Sequence, residues 1–307
     1  MRLVPTDLRA AVDLGFATTR ATTFRVNTLK AKPDAVLRDL AKAGVSCEVV
    51  KEIELAFRIC DPPPSAPPLI RGVGGISSTP SYQNGHIYLQ SLASQIPALV
   101  LAPQPGEKVL DMAAAPGGKT CQMAALMQNQ GELLALEPNT IRFDRLKFNL
   151  QRQAATLVTA LQISAEKLPK KYENYFDRVL LDAPCSSEGT FCLTDPESYQ
   201  HWSLEFVAQS SRLQKRLIEK AATYLKPGGV LVYSTCALSP EENESVIDFA
   251  LRHDHMSKVL PVKLKADFLR PALRTWEGCE FDKRVVSARR IYPTQYHEGF
   301  FVACLRK

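Results

Sequence analysis

KVLDMAAAPGGKT, residues 108–120, is an apolar run that ends in a turn of small residues and glycines. The run reads as a buried strand, and Gly117 and Gly118 open a helix whose free N–H groups attract an anion. Gly118, Lys119 and Thr120 fit the second half of the phosphate-binding pattern GxxxxGK[ST]. Its first glycine would fall on Ala113, however, and Pro116 removes an N–H that a phosphate cradle needs. A nucleotide hydrolase is therefore disfavoured. The loop suits a nucleoside cofactor that carries a carboxylate instead of a triphosphate.

Outward from this loop, similar apolar runs recur as ELLALEP, LVTALQIS, DRVLLDAP and GVLVYSTC. Helical segments such as TIRFDRLKFNLQRQ and FVAQSSRLQKRLIEKAATYL separate them, and the second stops at KPGG. Nearly continuous apolar strands alternating with helices predict a doubly covered parallel sheet, an α/β fold over 77–307. The closing RRIYPTQYHEGFFVACLRK reads as a terminal antiparallel hairpin on the sheet edge.

Residues 1–76 have a different rhythm. TTFRVNTLK, PDAVLRDLAKAG and SCEVVKEI give strand, helix and strand, with Pro33 near the helix start and Gly44 after its end. They predict a small α+β module. Five prolines within DPPPSAPPLI, then the glycines of RGVGGISSTPS, mark the boundary between modules.

The 307 residues carry 38 Lys and Arg against 32 Asp and Glu, a net charge of +6 that is compatible with a polyanionic partner. No run of 18 apolar residues occurs, and the N-terminus lacks a signal-peptide core and carries Asp7 and Asp13. A cytoplasmic protein is expected, and a monomer. Its eight cysteines are scattered without a CxxC pair, and His253 and His255 read as a solvated helix end. Reduced thiols and no metal are expected.

In an open α/β sheet, ligands bind beyond the carboxyl ends of the strands. The second strand ends in Glu137, an acid able to accept both hydroxyls of a ribose. With the glycine loop it points to an adenosine cofactor, and the carboxylate-bearing one is S-adenosylmethionine. The fourth strand ends in DAPCSSEG, presenting Asp182 and Cys185, and the fifth ends in Cys236. Neighbouring strands lie about 4.8 Å apart, so both thiols could face one cleft.

Taken together, FRVNTLK, YLQSLAS, VLDMAAAPGGKT, LLDAPCSSEG, VYSTCALSPEENE, RRIYP and EGFFVACLRK resemble the Sun-type RNA (cytosine-5) methyltransferases over nearly the whole chain. The resemblance implies a Rossmann-like class I methyltransferase sheet, S-adenosylmethionine as cofactor and ribosomal or transfer RNA as substrate. It implies a catalytic set of Cys236, which attacks, Cys185, which releases product, Asp182 and Lys119. It implies cofactor contacts from Ala113, Ala114, Ala115, Pro116, Gly117, Gly118, Lys119, Glu137, Arg142 and Asp182. The family's adenine-contacting Asp is absent. Ser164 stands there, with Glu166 two residues on.

The chemistry needs these residue types. A thiolate adding at carbon 6 of cytosine makes carbon 5 enamine-like, Asp182 can act as an acid at ring nitrogen 3, and Lys119 can favour the Cys236 thiolate. Arg25, Arg142, Arg289 and Arg290 are candidates for a basic rim, and FRVNTLK for an RNA-contacting strand. A non-catalytic RNA-binding protein is a further reading, but the intact Cys236, Cys185 and Asp182 count against it. A DNA enzyme would attack with the Pro-Cys thiol, so the Ser-Thr-Cys motif favours RNA.

Overall fold

The computed structural model describes residues 3–60 and 73–307, so the proline run at 61–70 lies outside the described residues. The N-terminal part holds helix α1 (Arg9–Ala17), strand β1 (Thr23–Val26), helix α2 (Pro33–Lys42) and strands β2 (Cys47–Val49) and β3 (Ala56–Ile59). Two short helices, α3 (Val73–Ser77) and α4 (Pro80–Gln83), lead to β4 (Ile87–Leu89). Pro33 occupies the first turn of α2, where its missing N–H costs nothing. The four strands form an antiparallel sheet in the order β2-β3-β1-β4. Its core packs Phe24 on Phe57 (centroids 5.3 Å apart) with Val36, Leu40 and Ile87.

Two expectations change here. The small sheet takes its last strand, β4, from beyond residue 76, because the compositional break marks the proline run and not the end of strand pairing. The FRVNTLK stretch is also largely internal: β1 and Asn27 are buried, and only Thr28 and Lys30 at its end are exposed.

The second sheet begins with β5 (Lys108–Asp111), β6 (Glu132–Leu136), β7 (Val158–Leu161), β8 (Phe176–Asp182) and β9 (Leu225–Thr235). It continues with β10 (Lys258–Leu260) and β11 (Leu269–Pro271). A two-stranded ribbon, β12 (Thr275–Trp276) and β13 (Cys279–Glu280), stands apart, and β14 (Arg289–Ile291) and β15 (Phe300–Arg306) close the chain. The order β11-β14-β15-β9-β8-β5-β6-β7 has parallel pairing from β9 to β7 and antiparallel pairing on the other side. The terminal hairpin is present, but β15 sits inside the sheet and the edge falls to β11. Its residues from Phe300 to Leu305 are all buried, which suits an inner strand. KPGG does not precede the strand either, since Lys226–Gly229 bulge within β9.

Successive residues of the inner strands enter opposite cores. Leu110, Val179, Leu181 and Tyr233 face one core, completed by α8 (Leu204–Tyr224) and α9 (Glu244–Arg252). Val109, Leu180 and Val232 face the other, completed by α5 (Leu92–Leu101), α6 (Gly118–Leu126) and α7 (Thr140–Arg152). Burial on both faces explains the continuous apolar runs. No helix among the described residues is long and apolar enough to cross a membrane.

Two of the expected rim arginines are internal struts. Arg25 is 3% exposed and donates to Gln90 Oε1 (2.9 Å) and to the Gly118 carbonyl (3.1 Å), tying the small sheet to the glycine loop. Arg290 is 1% exposed and forms a two-pronged pair with the buried Glu244 (2.6 and 2.5 Å) while donating to the Leu238 carbonyl. Both are pulled inside because a buried acid or carbonyl satisfies the guanidinium. Arg290→Ala should leave Glu244 as an uncompensated buried charge and cost about 3–5 kcal/mol in urea unfolding. Lys147→Ala, which breaks an exposed pair with Asp144, should cost at most about 1 kcal/mol. Equal effects would mean that the buried pair contributes no more than a surface one.

Candidate active site

The carboxyl ends of β5, β8 and β9 surround a cavity of about 330 Å³. Ala113, Ala114, Ala115, Pro116, Gly118, Lys119, Asp182 and Cys236 line it. Gly117 lies just behind, at the start of α6. Its φ of +108° favours glycine, and a Cβ there would stand 3.1 Å from Leu146 Cδ1. The small module contributes a wall through Tyr88 of β4.

Glu137, Arg142 and Ser164 are outside this lining. Glu137 is 2% exposed, accepts the Asn139 N–H at 2.9 Å and lies 3.5 Å from Arg142 Nε. The Arg142 guanidinium also donates to the Ala115 carbonyl at 2.9 Å, so it fastens the loop to the Glu137 carboxylate. Ser164 starts a single 3-10 turn at Ala165–Lys167. Glu166 is engaged by Arg216 at 3.1 Å on the surface. Of the expected rim, Arg142 remains exposed and Arg289 half-buried.

Asp111 is the site residue that sequence reasoning passed over. It is the last residue of β5, lines the cavity and is 1% exposed. Its Oδ2 accepts the Thr120 hydroxyl at 2.8 Å and its Oδ1 has no partner, while burial pushes its carboxyl up to about 7. The signal was present as an acid at a strand end, the feature by which Glu137 was picked. Ser94 was also missed; its hydroxyl accepts from Lys119 Nζ at 2.7 Å.

The thiols meet because β8 and β9 are parallel neighbours with Asp182 opposite Ser234. Cys185 Sγ lies 3.3 Å from Cys236 Sγ. Asp182 is held between the Ser234 hydroxyl (2.7 Å) and the Lys119 ammonium (2.7 Å). The Cys185 loop is stitched to its neighbours: the Gly189 N–H donates to the Cys236 carbonyl, and the Gly299 N–H to the Gly189 carbonyl. A Cβ on Gly189 would lie 2.0 Å from the Gly299 oxygen, so only glycine allows that crossing.

The two thiols diverge in acidity. The hydrogen bond from Cys185 draws the Cys236 thiol below its ordinary range, aided by the Ser187 hydroxyl 3.6 Å away, against burial and Asp182. Lys119 contributes least, paired as it is with the Asp182 carboxylate at 2.7 Å. The expected activation by Lys119 is therefore mostly supplied by the second thiol. Cys185 is pushed the other way by the same bond, by burial and by the charges of Cys236 and Glu242.

The residues present fit S-adenosylmethionine. The unpartnered Asp111 oxygen suits an ammonium group, and the free N–H groups of α6 suit a carboxylate. Among the described residues, no cluster of three His, Cys, Asp or Glu side chains could hold a metal ion.

Residues 98–306 match the family described as 16S rRNA methyltransferase RsmB/F. The chain is 44% identical over 227 residues to the tRNA (cytosine(49)-C(5))-methyltransferase of Pyrococcus abyssi, covering 74% of this chain and 72% of that protein. It is 36% identical to the human 28S rRNA (cytosine(4447)-C(5))-methyltransferase, over 94% of this chain and 34% of that one. To the ribosomal RNA small subunit methyltransferase F of Vibrio vulnificus it is 38% identical, over 92% and 57%. The chain thus spans about a third to somewhat over half of these ribosomal RNA relatives. Its fold superposes with a TM-score of 0.83 on a methyltransferase homolog protein from Pyrococcus horikoshii, at 35% identity over 99% of this chain and 92% of the other. The crystal structure of NSun6 from the same organism with SFG gives 0.81 at 25% identity, covering 98% and 94%. With this match along most of its length, and with a cofactor loop, an acid and the Cys236 thiol around one cavity and Cys185 against that thiol, the chain belongs to the RsmB/F (NOL1/NOP2/Sun) family of S-adenosylmethionine-dependent RNA (cytosine-C5) methyltransferases.

Proposed function

We propose that in this family's reaction Cys236 attacks the cytosine, Cys185 serves its release, and the Asp182–Lys119 pair acts at the base. The 3.3 Å contact between a sulfur that favours its thiolate and one that favours its thiol carries this reading.

Carbon 5 of cytosine is a poor nucleophile. The Cys236 thiolate adds at carbon 6, the ring electrons move toward nitrogen 3, and carbon 5 becomes enamine-like. Asp182 meets the developing charge at nitrogen 3 with a proton supplied through Lys119, 2.7 Å from its oxygen. S-adenosylmethionine, when bound, supplies an electrophilic methyl group on a sulfonium. The methylated carbon 5 then loses its proton, whose electron pair restores the 5,6 double bond as the carbon–sulfur pair returns to Cys236, and the nitrogen 3 proton goes back to the Asp182–Lys119 pair. Cys185 is the group beside that departing sulfur. Its negative partner is gone once Cys236 is a thioether, so it ionises more readily at that stage and can act as the base.

We further propose transfer RNA as the substrate, supported by the identity to the Pyrococcus abyssi enzyme over similar shares of both chains.

Without the attacking thiol the ring is never activated, whereas without the releasing thiol the adduct forms and stalls. Cys185→Ala should accumulate a denaturant-resistant protein–RNA band on a gel, and Cys236→Ala should be inactive with no band. The opposite pattern would exchange the two roles.

Asp111 gives a pH dependence of known sign. Its carboxyl, held up to about 7, is neutral below that pH and charged above it. S-adenosylhomocysteine, whose amino group stays ammonium in this range, should bind roughly tenfold more tightly at pH 8 than at pH 6 by calorimetry. Asp111→Asn should flatten that profile. A flat wild-type profile would remove Asp111 from the ammonium site.

A further inference from the structure

Glu242 is fully buried in the loop between β9 and α9, and the steps above do not use it. Its Oε2 accepts the backbone N–H of Ser186 at 3.0 Å and the side-chain amide of Gln214 at 2.8 Å. The same Gln214 nitrogen donates to the Pro184 carbonyl at 2.8 Å. The backbone on both sides of Cys185 is therefore fastened to this carboxylate and to α8. Glu242 Oε1 has no partner, and the groups bonded to Oε2 are neutral. A buried acid without a cation is costly to keep.

Two thiols 3.3 Å apart do not both ionise, and the shared proton stays on the sulfur in the more negative surroundings. We propose that Glu242 is a positioning residue that decides which thiol ionises: its carboxylate stands on the Cys185 side, keeps Cys185 protonated, and leaves Cys236 as the thiolate. Cys236 faces Asp182 and Lys119, which pair at 2.7 Å and largely cancel. Cys185 sits between Pro184 and Ser186, whose backbone is bonded to the Gln214–Glu242 pair. Glu242 itself faces Glu188, which raises its pKa, and the Tyr233 phenol. That phenol donates to the Glu242 carbonyl and is kept neutral by burial. Burial pushes the Glu242 carboxyl up to about 6, so it is mostly charged at neutral pH and loses its influence in acid.

The inference rests on Cys236 being the attacking thiol, and its test uses no RNA, so the two can fail separately. The full chain is treated with iodoacetamide at several pH values, and the modified peptides are quantified by mass spectrometry. At pH 7 Cys236 should be alkylated much faster than Cys185. Glu242→Gln keeps an acceptor for Ser186 and Gln214 but removes the charge, so the rate ratio should narrow by roughly tenfold. Glu242→Asp keeps the charge and should stay closer to the wild type. An unchanged ratio in a folded E242Q, or an equal narrowing in E242D, would overturn the proposal. If E242Q does not fold, the wild-type pH series decides: the preference for Cys236 must narrow below about pH 6, where Glu242 takes up its proton, and a ratio that stays flat from pH 5 to pH 8 would overturn the proposal. Loss of the Cys236 adduct on RNA with the alkylation order intact would overturn the catalytic assignment only.

Discussion

The parallel pairing of β8 with β9 is the constraint on which the site depends. With Asp182 opposite Ser234, the two strands deliver an acid and a thiol side by side, and the loop after β8 has only to curl back to bring a second thiol within 3.3 Å of the first. Both strands are buried on both faces, between α8 and α9 on one side and α5 to α7 on the other. A one-residue slip would turn every side chain to the wrong core, so packing fixes the register and the register fixes the chemistry. The small sheet joins this frame through Arg25, and the antiparallel addition joins it through Arg290 and the Gly189–Gly299 crossing.

A ring of buried acids follows from that geometry. Asp111, Glu137, Glu188, Glu242 and Glu244 all lie near the carboxyl ends of the strands, each under 10% exposed. Each would destabilise the fold if left bare, and each is offset differently. Arg290 pairs with Glu244, backbone N–H groups of Leu238 and Ser239 satisfy Glu188, and Ser186 satisfies one oxygen of Glu242. Asp111 keeps one oxygen unpartnered where it meets the cavity. Asp111 and Glu242 each keep one oxygen unpartnered, but only Asp111 does so at the cavity wall.

Much of this was legible in the sequence because function sits at strand ends. Apolar runs located the strands, and reading the residue after each one found Glu137, Asp182, Cys185 and Cys236. Asp111 is masked by its neighbours, since the glycine loop that follows it carries the stronger cofactor signal. Arg25 and Arg290 were misread for a more basic reason. Their buried partners, Gln90 and Glu244, are 65 and 46 residues away along the chain, and nothing local distinguishes a strut from a surface charge. The position of β15 was hidden likewise: an apolar terminal strand fits an edge or an interior, and only its pairing with β9 decides. The separate acidities of the two thiols depend on contacts across three loops, which no spacing rule reports.

The proposed attack by Cys236 is open to direct observation through the bond it would form. RNA transcribed with 5-fluorocytidine places fluorine where a proton must leave, so addition and methyl transfer can proceed but elimination cannot. Digestion of the trapped complex and mass spectrometry of the nucleotide-bearing peptide should place the bond on Cys236. A bond on Cys185, or no trapped species with an RNA that is methylated in its unfluorinated form, would contradict the assignment of Cys236 as the nucleophile.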